Sequence, residues 1–320
     1  MTVASVIIVT FNSAGSIEPC LRAFRRQDDR QQWERIVVDN ASRDQTVAAV
    51  QSADPDARLI QNPRNFGFAA AANRGVQAAA AASEILLLLN PDAVARPAAL
   101  RELARALQSD DVVAAGGLLL RADSQPDRGF VVRRFPTVAS MAPEILLLNR
   151  LWPRNPLNRR YRCLDLDYAQ AQDVDQPAGA CLAVKRRAFE SIGGFDESFF
   201  PVWFEDVDFC RRLRAQGRIV YCPGAIFAHT GGHSVNKLPL ADRQLFWYRN
   251  LLRYFRKHDT PSAVAVLRAC IALGMALRSL AALVGFSPRD SGVREALRAY
   301  GGVISECVLP ARSVAGASPR

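Results

Sequence analysis

Short apolar segments alternate with segments of helical periodicity along the first 120 residues. The apolar segments are rich in Val, Ile and Leu, which is typical of strands buried on both faces. Ile17, Leu21 and Phe24 recur at helical spacing, and the alanine-rich residues 66–83 predict a second helix. The predicted strands lie in "SVIIVTF" (5–11), "RIVVDNAS" (35–42), "RLIQNP" (58–63), "EILLLLNPDA" (84–93) and "VVAAGGLLL" (112–120), with a third helix in "RPAALRELARALQSD" (96–110). The alternation predicts an α/β protein with a mostly parallel sheet flanked by helices.

Polar side chains follow four of these predicted strands. They are Thr10 to Asn12, Asp39 and Asn40, Asn62 to Asn65, and Asn90 to Asp92. In parallel sheets ligands bind beyond the carboxyl ends of the strands, so four polar strand ends indicate one shared cleft. The alternative is that Asn, Asp and Pro only form turns. That alternative explains any single strand end better than it explains all four.

The middle of the chain is less regular. Residues 121–175 have no clear period and are interpreted as a long excursion that holds an acceptor-binding loop. Order returns at residues 179–200, which predict a strand and a short helix. The segment "FEDVDFCRRLRAQG" predicts a helix that begins near Asp206 and has Val207, Cys210 and Leu213 on one face, with Gly217 as its C-cap. Two further strands are predicted in "RIVYCP" and "AIFAHTGGHS".

The C-terminal region predicts helices. We expect a catalytic domain over residues 1–236 and a basic, amphipathic helical extension over residues 237–320. Residues 262–286 are apolar apart from Arg268, Arg278 and serines, and on a helical wheel these two arginines share one side with Ser279. A membrane span, a helix packed on the catalytic domain and an interfacial helix remain open. The interfacial helix is preferred, because each arginine costs about 2.5–3.5 kcal/mol near the centre of a bilayer.

Charge and cysteine content narrow the class of protein. The net charge is +10, and residues 237–320 hold 13 basic and 5 acidic side chains, whereas residues 1–120 hold 12 and 13. No nucleic-acid-binding signature accompanies this excess, so an anionic membrane surface is the expected partner and nucleic acid is not. The seven cysteines are widely spaced without a C-x-x-C motif, and the N-terminus lacks a basic leader. We therefore expect reduced thiols and a cytoplasmic protein.

Three groups of residues are candidates for chemistry. Asp92, after Asn90 and Pro91, can hold a divalent cation at a diphosphate, although N-P-D is also a common turn. The pair Glu205 and Asp206 can supply a general base, although acids also favour the first turn of a helix. His229 and His233 in "HTGGHS" can ligate the cation, although either is more commonly a hydrogen-bonded loop residue.

Taken together and in order, these segments resemble the inverting glycosyltransferases of family 2, in particular the bacterial rhamnosyltransferase-like branch. The resemblance runs from Ser5 to Ser234. It rests on "SVIIVTFNS", "IVVDNASRD", "NFGFAAAANRG", "LLLLNPDA", "GACLAVKRRAFESIGGFDESFF", "FEDVDFCRRLRAQG" and "HTGGHS". It implies a GT-A (Rossmann-like) fold and a nucleotide-sugar donor.

The resemblance also implies roles for individual residues. Asp206 would be the catalytic base, with Glu205 and Trp203 facing the acceptor. Asp92 and His229 would hold Mg²⁺ or Mn²⁺, and His233 falls at a variable position. Asn90 stands where a D-x-D motif has its first acid, which makes metal binding less certain than two acids would. The nucleotide pocket would be lined by Thr10, Asn12, Asp39, Asn65, Gly67, Asn90 and Asp92.

The expected reaction is transfer of L-rhamnose from dTDP-L-rhamnose to a glycan or polyprenyl-linked acceptor in cell-surface polysaccharide synthesis. A UDP-sugar donor is the alternative within the family. A nucleotidyltransferase is the alternative from another class, but "TFNSAGSIEPC" lacks the basic residue that its loop needs. A non-catalytic scaffold is disfavoured because the acids Asp92, Glu205 and Asp206 are all present. A lipid-linked acceptor predicts a peripheral position on the cytoplasmic face of the inner membrane. The sugar, the acceptor and the oligomeric state are not determined by the sequence.

Overall fold

The computed structural model describes residues 3–27, 33–231, 238–288 and 291–309. The chain forms two compact units. The first comprises Met1–Pro136 and Pro156–Lys237, and the second comprises Thr137–Asn155 and Leu238–Arg320. A segment from the irregular middle of the chain therefore belongs with the C-terminal helices.

A mixed sheet forms the centre of the first unit. The strands of the first unit, in chain order, are β1 (Val3–Thr10), β2 (Trp33–Asp39), β3 (Arg58–Gln61), β4 (Ser83–Leu89), β5 (Ala93–Ala95), β6 (Val112–Leu120), β7 (Val132–Arg133), β8 (Gln172–Asp173), β9 (Gln176–Pro177), β10 (Cys181–Lys185) and β11 (Arg218–His229). The main sheet has the order β3-β2-β1-β4-β10-β6-β11-β5, β8 pairs with β11, and β7 and β9 form a separate ribbon. Strands β1 to β4 are parallel, as are β6 and β11, whereas β10 runs antiparallel between β4 and β6.

Helices cover this sheet and build the second unit. In chain order they are α1 (Ala14–Phe24), α2 (Thr46–Ala53), α3 (Phe68–Ala78), α4 (Ala99–Ala106), α5 (Val138–Ile145), α6 (Leu148–Leu151), α7 (Pro156–Tyr161), α8 (Arg186–Ser191), α9 (Glu205–Leu213), α10 (Leu240–His258), α11 (Pro261–Leu283) and α12 (Val293–Val303), followed by a π-helical turn (Ile304–Val308). The α/β class, the mostly parallel sheet and the C-terminal helices are confirmed.

The predicted strands are present, with shifts at several element ends, except that the two predicted in "RIVYCP" and "AIFAHTGGHS" form one strand, β11, whose register shifts between Cys222 and Ile226. Leu86 to Leu89 are fully buried between β1 and β10, as their continuous apolar character predicts. The alanine-rich helix ends at Ala78 rather than near Ser83, because Ser83 already pairs in β4. The helix after Phe204 ends at Leu213, so Gly217 follows the helix instead of capping it.

The long apolar helix α11 lies in the second unit and contacts α5, α10 and α12. Its two arginines do not form a solvent-facing polar side. Arg278 donates to the carbonyl oxygens of Ile145 and Gly274, and Arg268 donates to that of Val308. Among the residues described, α11 alone is long and apolar enough to cross a membrane.

Close packing of α3 on the sheet yields a stability prediction. A Cβ added at Gly75 would overlap Cγ2 of Ile7 and lie 3.1 Å from Cγ2 of Val38. We expect Gly75→Ala to lower the free energy of unfolding by about 1–3 kcal/mol, because overpacking outweighs the gain in helix propensity. Urea denaturation followed by far-UV circular dichroism measures the change.

The matched control is Gly15→Ala in α1, where a Cβ meets nothing within 4 Å. That variant should gain about 0.5–1 kcal/mol, the ordinary difference between Ala and Gly in a helix. Equal effects of the two substitutions would contradict the packing described for α3.

Candidate active site

The carboxyl ends of β1 and β2 are joined by side-chain hydrogen bonds. Thr10 lies opposite Asp39 in register, and its hydroxyl donates to Asp39 Oδ1 at 2.9 Å. Ser42 donates to both carboxylate oxygens of Asp39, through its hydroxyl at 2.5 Å and its backbone N–H at 2.9 Å. Ser42 Oγ in turn accepts the Asn12 N–H at 2.8 Å. The structure therefore brings the predicted residues Thr10, Asn12 and Asp39 together in one network.

Asn40 organises the adjacent loop, a role the sequence did not reveal. Its amide nitrogen donates to Asn65 Oδ1 at 2.9 Å and to the Gly67 carbonyl at 3.1 Å. Its amide oxygen accepts from Asn62 Nδ2 and from the Phe66 N–H. Because these bonds satisfy the buried amide of Asn40, they fix Asn65 and Gly67 beside the end of β2.

Gly67 occupies a position that only glycine fits well. Its φ is +85°, and an added Cβ would lie 3.0 Å from the Pro201 carbonyl oxygen. The Phe68 N–H donates to that same oxygen at 2.9 Å, so the start of α3 is tied to the loop that precedes α9. The predicted nucleotide side of the cleft is thereby linked to the segment that carries the acid pair.

Asp92 and His229 form a buried pair. The pairing of β5 with β11 sets Ala93 opposite His229, which places the imidazole beside the residue that precedes Ala93. Asp92 Oδ1 lies 3.4 Å from His229 Nε2, too long for a good hydrogen bond, and Oδ2 accepts the Gly231 N–H at 2.8 Å. Burial opposes ionisation of Asp92, but His229 and the Gly231 N–H outweigh it and hold the pKa of Asp92 below its ordinary value.

The imidazole of His229 is oriented by stacking. It lies parallel to the Phe130 ring at a centroid distance of 5.2 Å, and neither ring nitrogen makes a hydrogen bond of good geometry among the described residues. A buried imidazole without such bonds, next to a carboxylate, is suited to receive a cation. Fewer than three potential protein ligands cluster anywhere in the described part of the chain. His233 lies outside it.

Asp206 is the accessible member of the acid pair. Its Oδ2 accepts the Gly179 N–H and Gln176 Nε2, both at 3.1 Å, and Oδ1 accepts the Val207 N–H at 2.8 Å. Burial raises the pKa of Asp206 above its ordinary value, although the Gly179 N–H and the Arg133 guanidinium oppose the shift. A carboxylate held in this way is a stronger base than an exposed aspartate.

Glu205 differs sharply from its neighbour. It is 6% exposed, and its Oε2 has no hydrogen-bond partner among the described residues. Burial, and then the charge of Asp206, raise the pKa of Glu205 well above its ordinary value. The two adjacent carboxyl groups lie in different settings, because three hydrogen-bond donors hold the carboxylate of Asp206 whereas Oε2 of Glu205 has no partner among the described residues.

The loop before α9 turns sharply and half-buries Trp203. Trp203 and Phe204 both adopt positive φ, +75° and +69°. Two consecutive non-glycine residues in this region are uncommon and set the direction in which α9 begins. Trp203, which the sequence assigned to acceptor contact, is separated from the acid pair by Phe204 alone.

Asn90 connects the two halves of the site through its backbone. Its N–H donates to the Ala180 carbonyl at 3.0 Å, one residue from the Gly179 N–H that holds Asp206. Gln176 reaches Asp206 from β9, and β9 pairs with β7 so that Gln176 lies opposite Arg133. The sequence missed Phe130, Arg133, Gln176 and Gly179 because they lie in or next to the irregular middle region. The run "QPAGAC" before a strand was the available signal.

A cavity of about 890 Å³ lies away from these groups. It is lined by residues near the start of β4, where Ile85 pairs with Lys185 of β10. Asn90 to Asp92 follow the opposite end of β4. The chemistry is therefore assigned to the polar strand ends and not to the cavity.

In sequence the chain is similar to glycosyltransferases. The family described as Glycosyl transferase family 2 matches residues 5–193. The N-acetylglucosaminyl-diphospho-decaprenol L-rhamnosyltransferase of Mycobacterium tuberculosis is 31% identical over 282 residues, which is 79% of this chain and 88% of the relative. The acid pair and His229 follow the family match along the chain.

Two solved structures show the same GT-A fold. The mannosyltransferase PcManGT from Pyrobaculum calidifontis, in complex with GDP-Man and Mn²⁺, is 21% identical with a TM-score of 0.55, covering 94% of this chain and 84% of that one. S. aureus TarS 1-349, in complex with UDP-GlcNAc, is 17% identical with a TM-score of 0.56, covering 96% and 82%.

The charge of Arg133 gives a prediction about pH dependence. Arg133 stabilises ionised Asp206, so Arg133→Met should raise the pKa of Asp206 further. Turnover that requires ionised Asp206 should then lose its acid limb at higher pH, by about 0.5–1 pH unit. The pH dependence of kcat measures the shift.

Arg133→Lys keeps the charge and should retain most of the original profile. Arg134→Met removes the exposed neighbouring charge and should leave the profile in place. If Arg134→Met moved the acid limb as far as Arg133→Met, the local effect of Arg133 would be excluded.

Proposed function

The chain belongs to glycosyltransferase family 2, and we propose that it is an inverting enzyme that transfers L-rhamnose from dTDP-L-rhamnose to a polyprenyl-linked acceptor. The M. tuberculosis relative, whose name specifies L-rhamnose transfer to a GlcNAc-diphospho-polyprenol, supports the choice of sugar and acceptor. Because the chain is a glycosyltransferase, the nucleotidyltransferase and scaffold alternatives are set aside. A lipid-linked acceptor also supports a cytoplasmic enzyme at the inner face of the membrane.

The setting of Asp206 is the observation that carries the mechanism. Its carboxylate accepts the proton of the acceptor hydroxyl while that oxygen attacks the anomeric carbon. The bond from the anomeric carbon to the donor diphosphate breaks in the same displacement, which inverts the anomeric centre. The Gly179 N–H and Gln176 hold Oδ2, so the carboxylate keeps one orientation during proton transfer. Its raised pKa strengthens it as a base.

Glu205 supports the acceptor side as a neutral group. A glutamic acid that keeps its proton next to ionised Asp206 can donate a hydrogen bond to an acceptor oxygen without competing as a base. Trp203, which precedes the pair, offers the apolar face on which a sugar ring packs.

Asp92 and His229 fit a divalent cation at the donor diphosphate. Mg²⁺ and Mn²⁺ sites of this kind take one or two protein ligands and complete their shell with phosphate oxygens and water. Asp92 is held ionised, and the nearby imidazole has no competing hydrogen bond of good geometry. When bound, the cation would neutralise the charge that develops on the leaving nucleoside diphosphate.

The network around Asp39 and Asn40 fits the nucleotide side of the donor. Thr10 and Ser42 engage the Asp39 carboxylate, so that side chain shapes the loop that faces the base and ribose. Asn65 and Gly67 are fixed by Asn40 at the neighbouring strand end. Asn12 and Asn90 complete the set of polar residues assigned to the donor.

The assignment of the base predicts a specific loss of turnover. Asp206→Asn keeps the size of the side chain but cannot accept the proton. We expect kcat to fall by about 10²–10⁴-fold, the usual contribution of a general base. Radiolabelled donor measures transfer, and equilibrium dialysis of the same variant should give an unchanged donor Kd.

The control is Asp123→Asn, which removes an exposed carboxylate paired with Arg121 far along the chain from the acid pair. It should transfer sugar at the original rate. Full turnover by Asp206→Asn would contradict the assignment of Asp206 as the base.

The donor assignment predicts a selective thermal shift. dTDP-L-rhamnose with Mn²⁺ should raise Tm by several degrees, because a ligand at about 100 times its Kd adds about 2.7 kcal/mol to stability. UDP-GlcNAc and GDP-mannose should raise it less. Asp92→Asn should lose the part of the shift that depends on Mn²⁺, whereas a stronger shift with a UDP-sugar would replace the dTDP donor by its alternative.

A further inference from the structure

The outer side of α11 is apolar along its whole length. Its exposed residues are Pro261, Ser262, Ala265, Val266, Ala269, Leu273, Ala276, Leu277, Leu280 and Leu283, of which Ser262 alone is polar. Leu280 and Leu283 are each 61% exposed, and Phe286 just beyond the helix is 77% exposed. Apolar surface of this extent on a protein marks an interaction site.

The inner side of the same helix is committed to the second unit. Leu267, Ile271 and Met275 are fully buried, and Gly274 packs directly against Ile145. The guanidinium groups of Arg268 and Arg278 turn inward onto backbone carbonyl oxygens. The only charges on α11 are thus used inside the unit, which leaves its outer side uncharged.

The second unit carries an excess of basic side chains. Its described residues include eleven Lys and Arg side chains and five Asp and Glu side chains. A surface with this excess attracts anionic lipid headgroups. A second copy of the same unit would instead bring two positive charge distributions together.

From these observations we propose that the outer side of α11, together with Phe286 just beyond its end, is a membrane-docking surface that inserts into the interface of an anionic bilayer. The helix lies in the plane of the membrane, because its inner side stays packed in the second unit and does not become available to lipid. Docking involves this surface alone and is independent of the sugar that the enzyme transfers.

Vesicle flotation of the full chain tests the proposal. Vesicles of phosphatidylcholine with 30% phosphatidylglycerol, the composition chosen for the assay, should carry the protein upward, and pure phosphatidylcholine should carry much less. The double variant Leu280→Ser, Leu283→Ser should weaken partitioning by about tenfold or more, since each leucine contributes apolar area to insertion. Both side chains are 61% exposed, so thermal unfolding should change only by the small difference in helix propensity between leucine and serine.

The matched control is Leu157→Ser, which replaces an exposed leucine of the first unit. It should float like the original protein. Radiolabelled transfer to a soluble acceptor analogue should be equal in the original chain and the double variant, which separates failed docking from failed catalysis.

Three outcomes would overturn the proposal. Equal flotation with neutral and anionic vesicles would contradict the proposed preference for an anionic bilayer. Retention in the membrane after carbonate extraction would show a spanning helix. A lipid-free dimer in sedimentation velocity that dissociates in the double variant, without vesicle binding by the original protein, would assign the surface to a second copy of the chain.

Discussion

Two backbone hydrogen bonds made by adjacent residues set the distance between the halves of the active site. The Gly179 N–H holds the carboxylate of Asp206, and the Ala180 carbonyl accepts the Asn90 N–H. Both residues precede β10, which enters the sheet antiparallel to β4 with Cys181 opposite Leu89. The proposed base and the residues proposed to bind the donor therefore share one register, and a slip of that register would displace both. An added Cβ at Gly179 would lie 3.0 Å from Asp206 Cβ, so glycine is needed for the approach.

Three carboxyl groups in the site are given different properties by their surroundings. Asp92 stays ionised because His229 and a backbone N–H outweigh its burial. Burial raises the pKa of Asp206, and burial beside that charge raises the pKa of Glu205 further. These surroundings match the three roles proposed for the carboxyl groups: cation ligand, general base and hydrogen-bond donor.

The apolar pattern predicted β4 and β6 because these strands are buried on both faces. It also predicted β3, although the two end residues of that strand are exposed. The same pattern could not predict that β10 runs antiparallel, since a fully buried strand has no face that reveals its direction. Asp92, Asp206 and His229 were found from the order of their segments. Arg133 and Gln176 were missed because a two-stranded ribbon, β7 with β9, has too few residues to show a period. In the second unit the sequence predicted the long apolar helix α11. It did not predict that Arg268 and Arg278 turn inward, because their direction depends on carbonyl oxygens that only the tertiary structure supplies.

The inward arginines of α11 have a consequence for mutational scanning. Arg268 and Arg278 satisfy carbonyl groups inside the second unit, so their replacement would leave buried acceptors unpaired and would reduce the amount of folded protein. The exposed leucines tolerate replacement in solution, where nothing depends on them. A scan scored by expression would therefore mark the arginines as the sensitive side of the helix and the leucines as neutral. A scan scored by vesicle binding would, on the proposed docking surface, add the leucines to the sensitive positions.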